Sequence, residues 1–297
     1  MVQGKGLKIA ANVILTFLAA FAVLPLILLL IGSFTDNAVA LKEGFSYFPS
    51  KWSKEAYRYI INQWTTIGKG YLNTILVTAA GTILSLMVTA MFSYGLTVND
   101  LPGRKIIMGI LIMTMLFNGG IVAQYFVYTN YINVKDTFFA LIIPNFIMNA
   151  FNVILVYNFF RNNVFGEILE AAKIDGASEF RVFWKIAVPL SVPILATIGI
   201  MTAIGYWNDW TNGLYYLSAR EGKKYYTIQL ILNEINNNVN FLASRAAEMG
   251  ITVDTSSIPS TSVRMAIAFV GILPILIAYP FFQKYFVKGI SIGGVKG

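Results

Sequence analysis

Of the 297 residues, 57% are hydrophobic and only 12% charged, about half the roughly 25% of soluble domains, which places the chain among membrane proteins. Neither cysteine nor histidine occurs. That excludes a disulfide framework, thiolate or imidazole metal sites and the usual histidine general base. The formal charge of +8 would suggest nucleic acid in a soluble protein; here it fits loops facing anionic lipid, and no nucleic-acid partner is expected.

Six uncharged runs are long enough to cross about 30 Å of hydrocarbon at about 1.5 Å per residue. They are Ile9–Thr35, Gly70–Asn99, Ile106–Val134, Thr137–Phe160, Ile186–Asn208 and Met265–Gln283. The predicted spans are 9–33, 71–97, 106–129, 137–160, 188–208 and 264–284, in one all-α membrane domain covering 1–297. The first is too long for a signal peptide and no small-x-small cleavage site stands out, so it reads as an uncleaved span.

An even number of spans puts both termini on one side. With the N-terminus inside, the inner segments 1–8, 98–105, 161–185 and 284–297 hold 11 basic and five acidic residues, against 11 and nine outside. The inner segments are also much shorter, so the basic bias favours cytoplasmic termini.

The first long outer loop, 36–69, carries Trp52, Trp64 and several tyrosines and reads as an amphipathic stretch on the membrane surface. On the second span Gly81, Ser85, Thr89 and Ser93 recur every four residues, a spacing that lets helix backbones approach closely. The third span carries Asn118, Gln124, Tyr125 and Tyr128. On the fourth, Asn145, Asn149 and Asn152 fall at i, i+4 and i+7, on one face of a helix. Two readings of these amides stand, interhelical hydrogen bonds or the lining of a wet translocation path. No buried carboxylate relay is visible, which argues against ion-coupled transport.

Between the fourth and fifth runs lies the polar segment 161–187. Glu167 to Ile174 predicts a helix. Asp175-Gly176 closes it, and a second short helix runs from about Ser178 to Lys185 before Pro189. Such an elbow offers Ile168, Leu169, Ala171, Ala172 and Ile174 to a partner. The fifth run ends in Tyr206, Trp207, Asn208, Asp209 and Trp210. Aromatic faces and amides suit sugar rings and hydroxyls, while aromatics at a span end also form interfacial belts. The second outer loop, 209–263, is long and polar and reads either as a solvated cap or as a docking surface for an extracytoplasmic partner.

No P-loop, nucleophile elbow, dinucleotide fingerprint or EF-hand is found. Uphill transport by this chain would need energy from another one.

The elbow resembles the EAA loop of permeases of the ATP-binding-cassette (ABC) importer family. Glu170, Ala171, Ala172, Asp175, Gly176, Ala177, Ile186 and Pro189 match that pattern, with Val188 where Leu is usual. From about Leu7 to the end the chain is similar to the carbohydrate-uptake branch, the half related to the maltose system's G subunit. Asn73-Thr74, Leu101-Pro102-Gly103-Arg104, Asp136-Thr137, Trp207-Asn208-Asp209 and the closing Gly289–Gly297 carry that likeness. Gly119-Gly120-Ile121 with Tyr125 is similar to the oligosaccharide and polysaccharide subgroup. Phe165 and Ala123 depart from it, each standing where Pro is common.

The resemblance implies the type I importer permease fold with six transmembrane helices and cytoplasmic termini, in the plasma (inner) membrane. It implies a non-catalytic subunit that pairs with a second homologous permease and two ATPase subunits, with ATP and magnesium on the ATPase and no cofactor of its own. An extracytoplasmic sugar-binding protein would hand over the carbohydrate. The eight EAA residues would then dock the ATPase, and Gly293, Gly294, Val295, Lys296 and Gly297 would reach into it. Candidates for the substrate path are Asn118, Tyr125, Tyr128, Asn145, Asn149, Asn152, Trp207, Asn208, Asp209 and Trp210. The alternatives are a polysaccharide exporter or a passive sugar channel.

Overall fold

A computed structural model describes residues 5–98, 101–164, 172, 174–237 and 261–294. Among these, structure is helical apart from one isolated antiparallel bridge between Thr35 and Trp52. The chain divides into two compact units, one of residues 1–68 with 231–277 and the other of 69–230 with 278–297.

In the first unit α1, Lys5–Ser33, is apolar on every side, and its side chains from 6 to 27 are all exposed. A helix hydrophobic all round and bare in the single chain is one that lipid or another subunit covers. Its length, about 43 Å at about 1.5 Å per residue, exceeds the hydrocarbon thickness. Pro25 sits within it, as transmembrane helices tolerate.

The segment that follows folds into two short helices, α2 (Asn37–Glu43) and α3 (Glu55–Asn62). The Asp36 carboxylate caps α2 by accepting from the Ala38 N–H at 3.1 Å. It also pairs with Lys51 at 2.9 Å, and this ammonium holds the Asp36 carboxyl below its ordinary range. Phe34 stacks on Tyr57 at 4.6 Å, and Ser33 Oγ lies 2.8 Å from the Tyr57 hydroxyl. Ser262, near the start of the last helix, donates to the Thr35 carbonyl at 2.7 Å. The stretch expected to lie on the membrane surface is thus a tied cap, with Trp52 and Trp64 exposed on it.

The second unit is organised on α4, Trp64–Thr97. Its small-residue stripe works as close packing. An ideal Cβ on Gly81 would come within 2.5 Å of the Tyr206 ring, so only glycine admits that ring. Ser85 donates to the Phe146 carbonyl and Ser93 to the Val153 carbonyl, each at 2.9 Å.

The third and fourth apolar runs are interrupted. α5 (Arg104–Leu116) ends at an extended Phe117, and α6 (Gly120–Phe126) restarts at Gly120, which adopts φ +76°. A π-type turn, Val127–Tyr131, follows. In the fourth run a short 3-10 turn, Phe138–Leu141, gives way to an irregular stretch with Asn145 at φ 68°, and α7 covers only Ala150–Phe159.

α8, Glu179–Leu190, contains a π-type turn at Phe183–Ala187 and meets α9, Val192–Asn208, at an angle of 79°. The second elbow helix therefore runs five residues past Lys185, and the fifth run bends at Ser191. α10 (Thr211–Tyr216) and helical residues 228–237 occupy part of the long polar stretch after Asn208. The last helix, α11, is Thr261–Gly294.

The core of this unit joins Ala90 and Tyr94 of α4, Val156 of α7, Phe160, Val182, Phe183 and Ala187 of the elbow side, and Ile198 of α9. Burying each large member contributes about 1.5–3 kcal/mol.

Candidate functional site

The elbow is built by local chemistry that the sequence dictates. Gly176 adopts φ +76°, the left-handed conformation that closes a helix. The Ala177 N–H then reaches back to the Ala172 carbonyl at 3.0 Å, the six-to-one bond of a Schellman cap. Ser178, extended at φ −64° and ψ 151°, caps α8 by accepting from the Arg181 N–H.

From there the two sides of α8 separate. Val182, Phe183 and Ala187 are buried, with Ile186, Ala172 and Ala177 packed beside them. Phe180 (70% exposed) and Ile174 (86% exposed) are left outside the core, and Trp184, partly exposed, meets the buried Phe183 edge to face at 5.1 Å. Phe180 and Trp184 meet edge to face at 6.2 Å. Arg181, Lys185 and Asp175 are exposed among them. An apolar cluster rimmed by charges on a short helix is suited to a groove in another protein.

Ala172, one of the residues offered to a partner, is half-buried and packs beside the core. Sequence reasoning missed Phe180 and Trp184, whose four-residue spacing was the available signal. It also missed Glu179, which accepts a hydrogen bond from the Tyr94 hydroxyl at 2.6 Å. Asp175, Gly176 and Pro189 are exposed. Glu170, Ala171, Val295, Lys296 and Gly297 lie outside the described residues, while Gly293 and Gly294 belong to α11.

The proposed path residues lie in different settings. Tyr125 stacks on Tyr216 at 5.9 Å and Tyr128 meets it edge-on at 5.8 Å, so these two are brought together around a buried third ring. Asn118 accepts from the Gly120 N–H at 2.8 Å, serving the break between α5 and α6. Asn208 donates to the Ile204 carbonyl one turn back, Trp207 is buried, and Trp210 is exposed.

The expectation that Asn145, Asn149 and Asn152 share one helical face is corrected. Pro144 and the left-handed Asn145 interrupt the helix, and Asn149 is its N-cap, accepting from the Asn152 N–H at 3.2 Å. Asn145 instead donates to the side chain of Asn212, which in turn donates to the Pro144 carbonyl at 3.1 Å.

Several residues singled out as a family likeness tie down the segment after Asn208. Asp209 accepts from the Thr211 N–H, the Thr211 hydroxyl and the Asn212 N–H, capping α10. Burial pushes its carboxyl above the ordinary carboxylate range, opposed by those bonds. Asp136 accepts from the Ser218 N–H. Asn73 donates to the carbonyls of Lys224 and Tyr226, and Thr74 accepts from the Ile228 N–H at 2.9 Å. The segment from 209 to 228 is therefore a folded, fastened structure.

Comparison with known proteins matches residues 97–292 to the family described as "Binding-protein-dependent transport system inner membrane component". Protein LplC of Bacillus subtilis (strain 168) is 36% identical over 278 residues, 94% of this chain and 90% of that protein. The polygalacturonan/rhamnogalacturonan transport system permease protein YtcP of the same organism is 36% identical over 283 residues, 95% of this chain and 96% of that protein. Among solved structures, a bacterial ABC transporter involved in the import of the acidic polysaccharide alginate aligns with TM-score 0.76 and 28% identity. The alignment covers 96% of this chain and 99% of that one.

Proposed function

Because the chain belongs to the binding-protein-dependent transport system inner membrane components, we propose that it is the membrane-spanning permease half of an ABC importer for an oligosaccharide. A second homologous permease pairs with it, two ATPase subunits carry ATP and magnesium, and an extracytoplasmic binding protein delivers the sugar. The names of the relatives, which include polygalacturonan and arabinooligosaccharide permeases, support a carbohydrate substrate.

The observation that carries the reading is the elbow. Its inner side is locked into the membrane helices by Val182, Phe183 and Ala187, while Ile174, Phe180 and Trp184 are left to a partner. In this account the elbow seats in the ATPase on the cytoplasmic side, together with the tail Gly293–Gly297. Both termini are cytoplasmic, and the chain crosses the membrane six times, some crossings being broken helices. ATP closes the ATPase dimer, the elbow follows, and the paired permeases turn outward. Such a switch needs ATP to bind the two states with different affinity.

Reconstitution of the full assembly in proteoliposomes with its binding protein tests this. Uptake of labelled oligosaccharide should require both ATP and the binding protein. Equilibration without either would instead establish a passive channel.

A further inference from the structure

Tyr94 lies in α4 and Glu179 opens α8, 85 residues further along the chain, yet the phenol oxygen stands 2.6 Å from the Glu179 carboxylate. That separation is characteristic of a charge-assisted O–H···O⁻ bond. The ring behind it is held fast. It is buried and meets Phe160 edge-on at 6.1 Å and Phe183 at 5.2 Å. Each of these phenylalanines opens a π-type turn, Phe160–Val164 and Phe183–Ala187, a feature frequent at functional sites.

The next residue back, Ser93, donates to the Val153 carbonyl of α7. At this level α4 is thus gripped from two sides, by α7 through Ser93 and by the elbow through Tyr94. Glu179 follows directly on the Gly176 turn and the Ser178 cap, so it sits where the exposed knuckle of the elbow becomes the helix that enters the core. Helix-dipole compensation alone would account for an acid in this first turn. It would not account for a buried tyrosine aimed at that acid.

We propose that the Tyr94–Glu179 bond is the strut that transmits elbow displacement to the second long helix, so that Tyr94 and Glu179 are positioning residues for coupling ATP hydrolysis to transport. This rests on the importer reading above. Neither residue touches substrate or nucleotide; the pair acts by making α4 move when the elbow does. Without the hydroxyl, the packed rings still hold the two elements together in either state, but the elbow can slip relative to α4 during the switch.

The experiment uses the assembled complex with its ATPase and loaded binding protein, comparing wild type with Tyr94→Phe, Glu179→Ala, Glu179→Gln and the Tyr94→Phe/Glu179→Ala double variant. Complex yield and melting temperature are read beside the ratio of stimulated to basal ATP hydrolysis. Tyr94→Phe keeps the ring and should keep yield and melting near wild type. Its stimulation ratio should fall roughly tenfold, as the loss of one hydrogen bond to a charged group allows.

Glu179→Ala should fall equally, the double variant no further, and Glu179→Gln, which retains an acceptor, should recover part of the ratio. Unchanged stimulation in Tyr94→Phe overturns the strut. So do additive losses in the double variant, or a loss of yield with the ratio preserved, which marks a merely structural contact. A wild-type complex that does not respond to its binding protein would instead defeat the importer reading on which the strut rests.

Discussion

The side-chain amide of Asn73 bonds to the carbonyl of Tyr226 at 3.0 Å, joining the start of the second long helix to a residue 153 positions away. The same amide also holds the Lys224 carbonyl at 2.9 Å. Replacing it by alanine removes both bonds, each contributing about 0.5–1.5 kcal/mol. Asn73→Ala is therefore expected to lower the melting temperature of the purified protein. It should also expose the 218–228 segment to limited proteolysis, read by mass spectrometry. An unchanged cleavage pattern would show that this fastening is dispensable.

Gly176 offers a cleaner test of backbone geometry, because an ideal Cβ there would meet nothing within 4 Å. Any penalty then comes from the left-handed φ of +76° alone. Gly176→Ala should cost about 1–2 kcal/mol and Gly176→Asn distinctly less. Gly176→Val, a β-branched residue in the same conformation, should abolish sugar-stimulated ATP hydrolysis while membrane insertion persists. If Val matches Asn in the ATPase assay, the turn is not required for coupling.

At Gly81 the obstacle is steric rather than conformational, the Tyr206 ring standing 2.5 Å from where a Cβ would be. Gly81→Ala should destabilise by about 1–3 kcal/mol through overpacking. Combining it with Tyr206→Leu should cost less than the sum of the two changes, since the second relieves the clash created by the first. Thermal unfolding of the four proteins of the cycle in detergent measures this. Strict additivity would contradict the contact.

The exposed pair Phe180 and Trp184 should behave in the opposite way. Alanine at Phe180 leaves the core untouched, so melting should shift by no more than about 0.5 kcal/mol equivalent, whereas alanine at Trp184 also removes an edge-to-face contact with Phe183 and should cost about 0.5–1.5 kcal/mol. Co-purification of the ATPase should drop sharply. Normal recovery of ATPase with the Phe180→Ala/Trp184→Ala double variant would remove this face from the interface.

Much of this was legible in the sequence because it is local. Gly176 as a turn, Ser178 as the start of the second elbow helix, and the close approach at Gly81, Ser85 and Ser93 follow from residue type and spacing over a few positions. The membrane character of α1 follows from its unbroken apolar run. What sequence misjudged depends on where helices stop. Asn145, Asn149 and Asn152 have helical spacing, yet Asn149 satisfies a helix N-terminus and Asn145 takes a left-handed turn beside Pro144, so they never share a face. Gly120 likewise restarts a helix inside an otherwise continuous apolar run. Glu179 carries no signal in the sequence, because Tyr94 lies on a different helix and no local pattern links them.

The most direct test of the account asks on which side of the membrane the elbow lies and what covers it. The native chain contains no cysteine, so a single Ile174→Cys replacement, at a position 86% exposed, reports cleanly. Lys54→Cys, in the segment proposed to lie outside, serves as the control. With a membrane-impermeant maleimide, Ile174→Cys should be labelled only in inverted vesicles stripped of ATPase, and re-adding the ATPase should protect it. Labelling of Ile174→Cys in right-side-out vesicles, or no protection by the ATPase, would contradict the elbow's role as the seat of the motor.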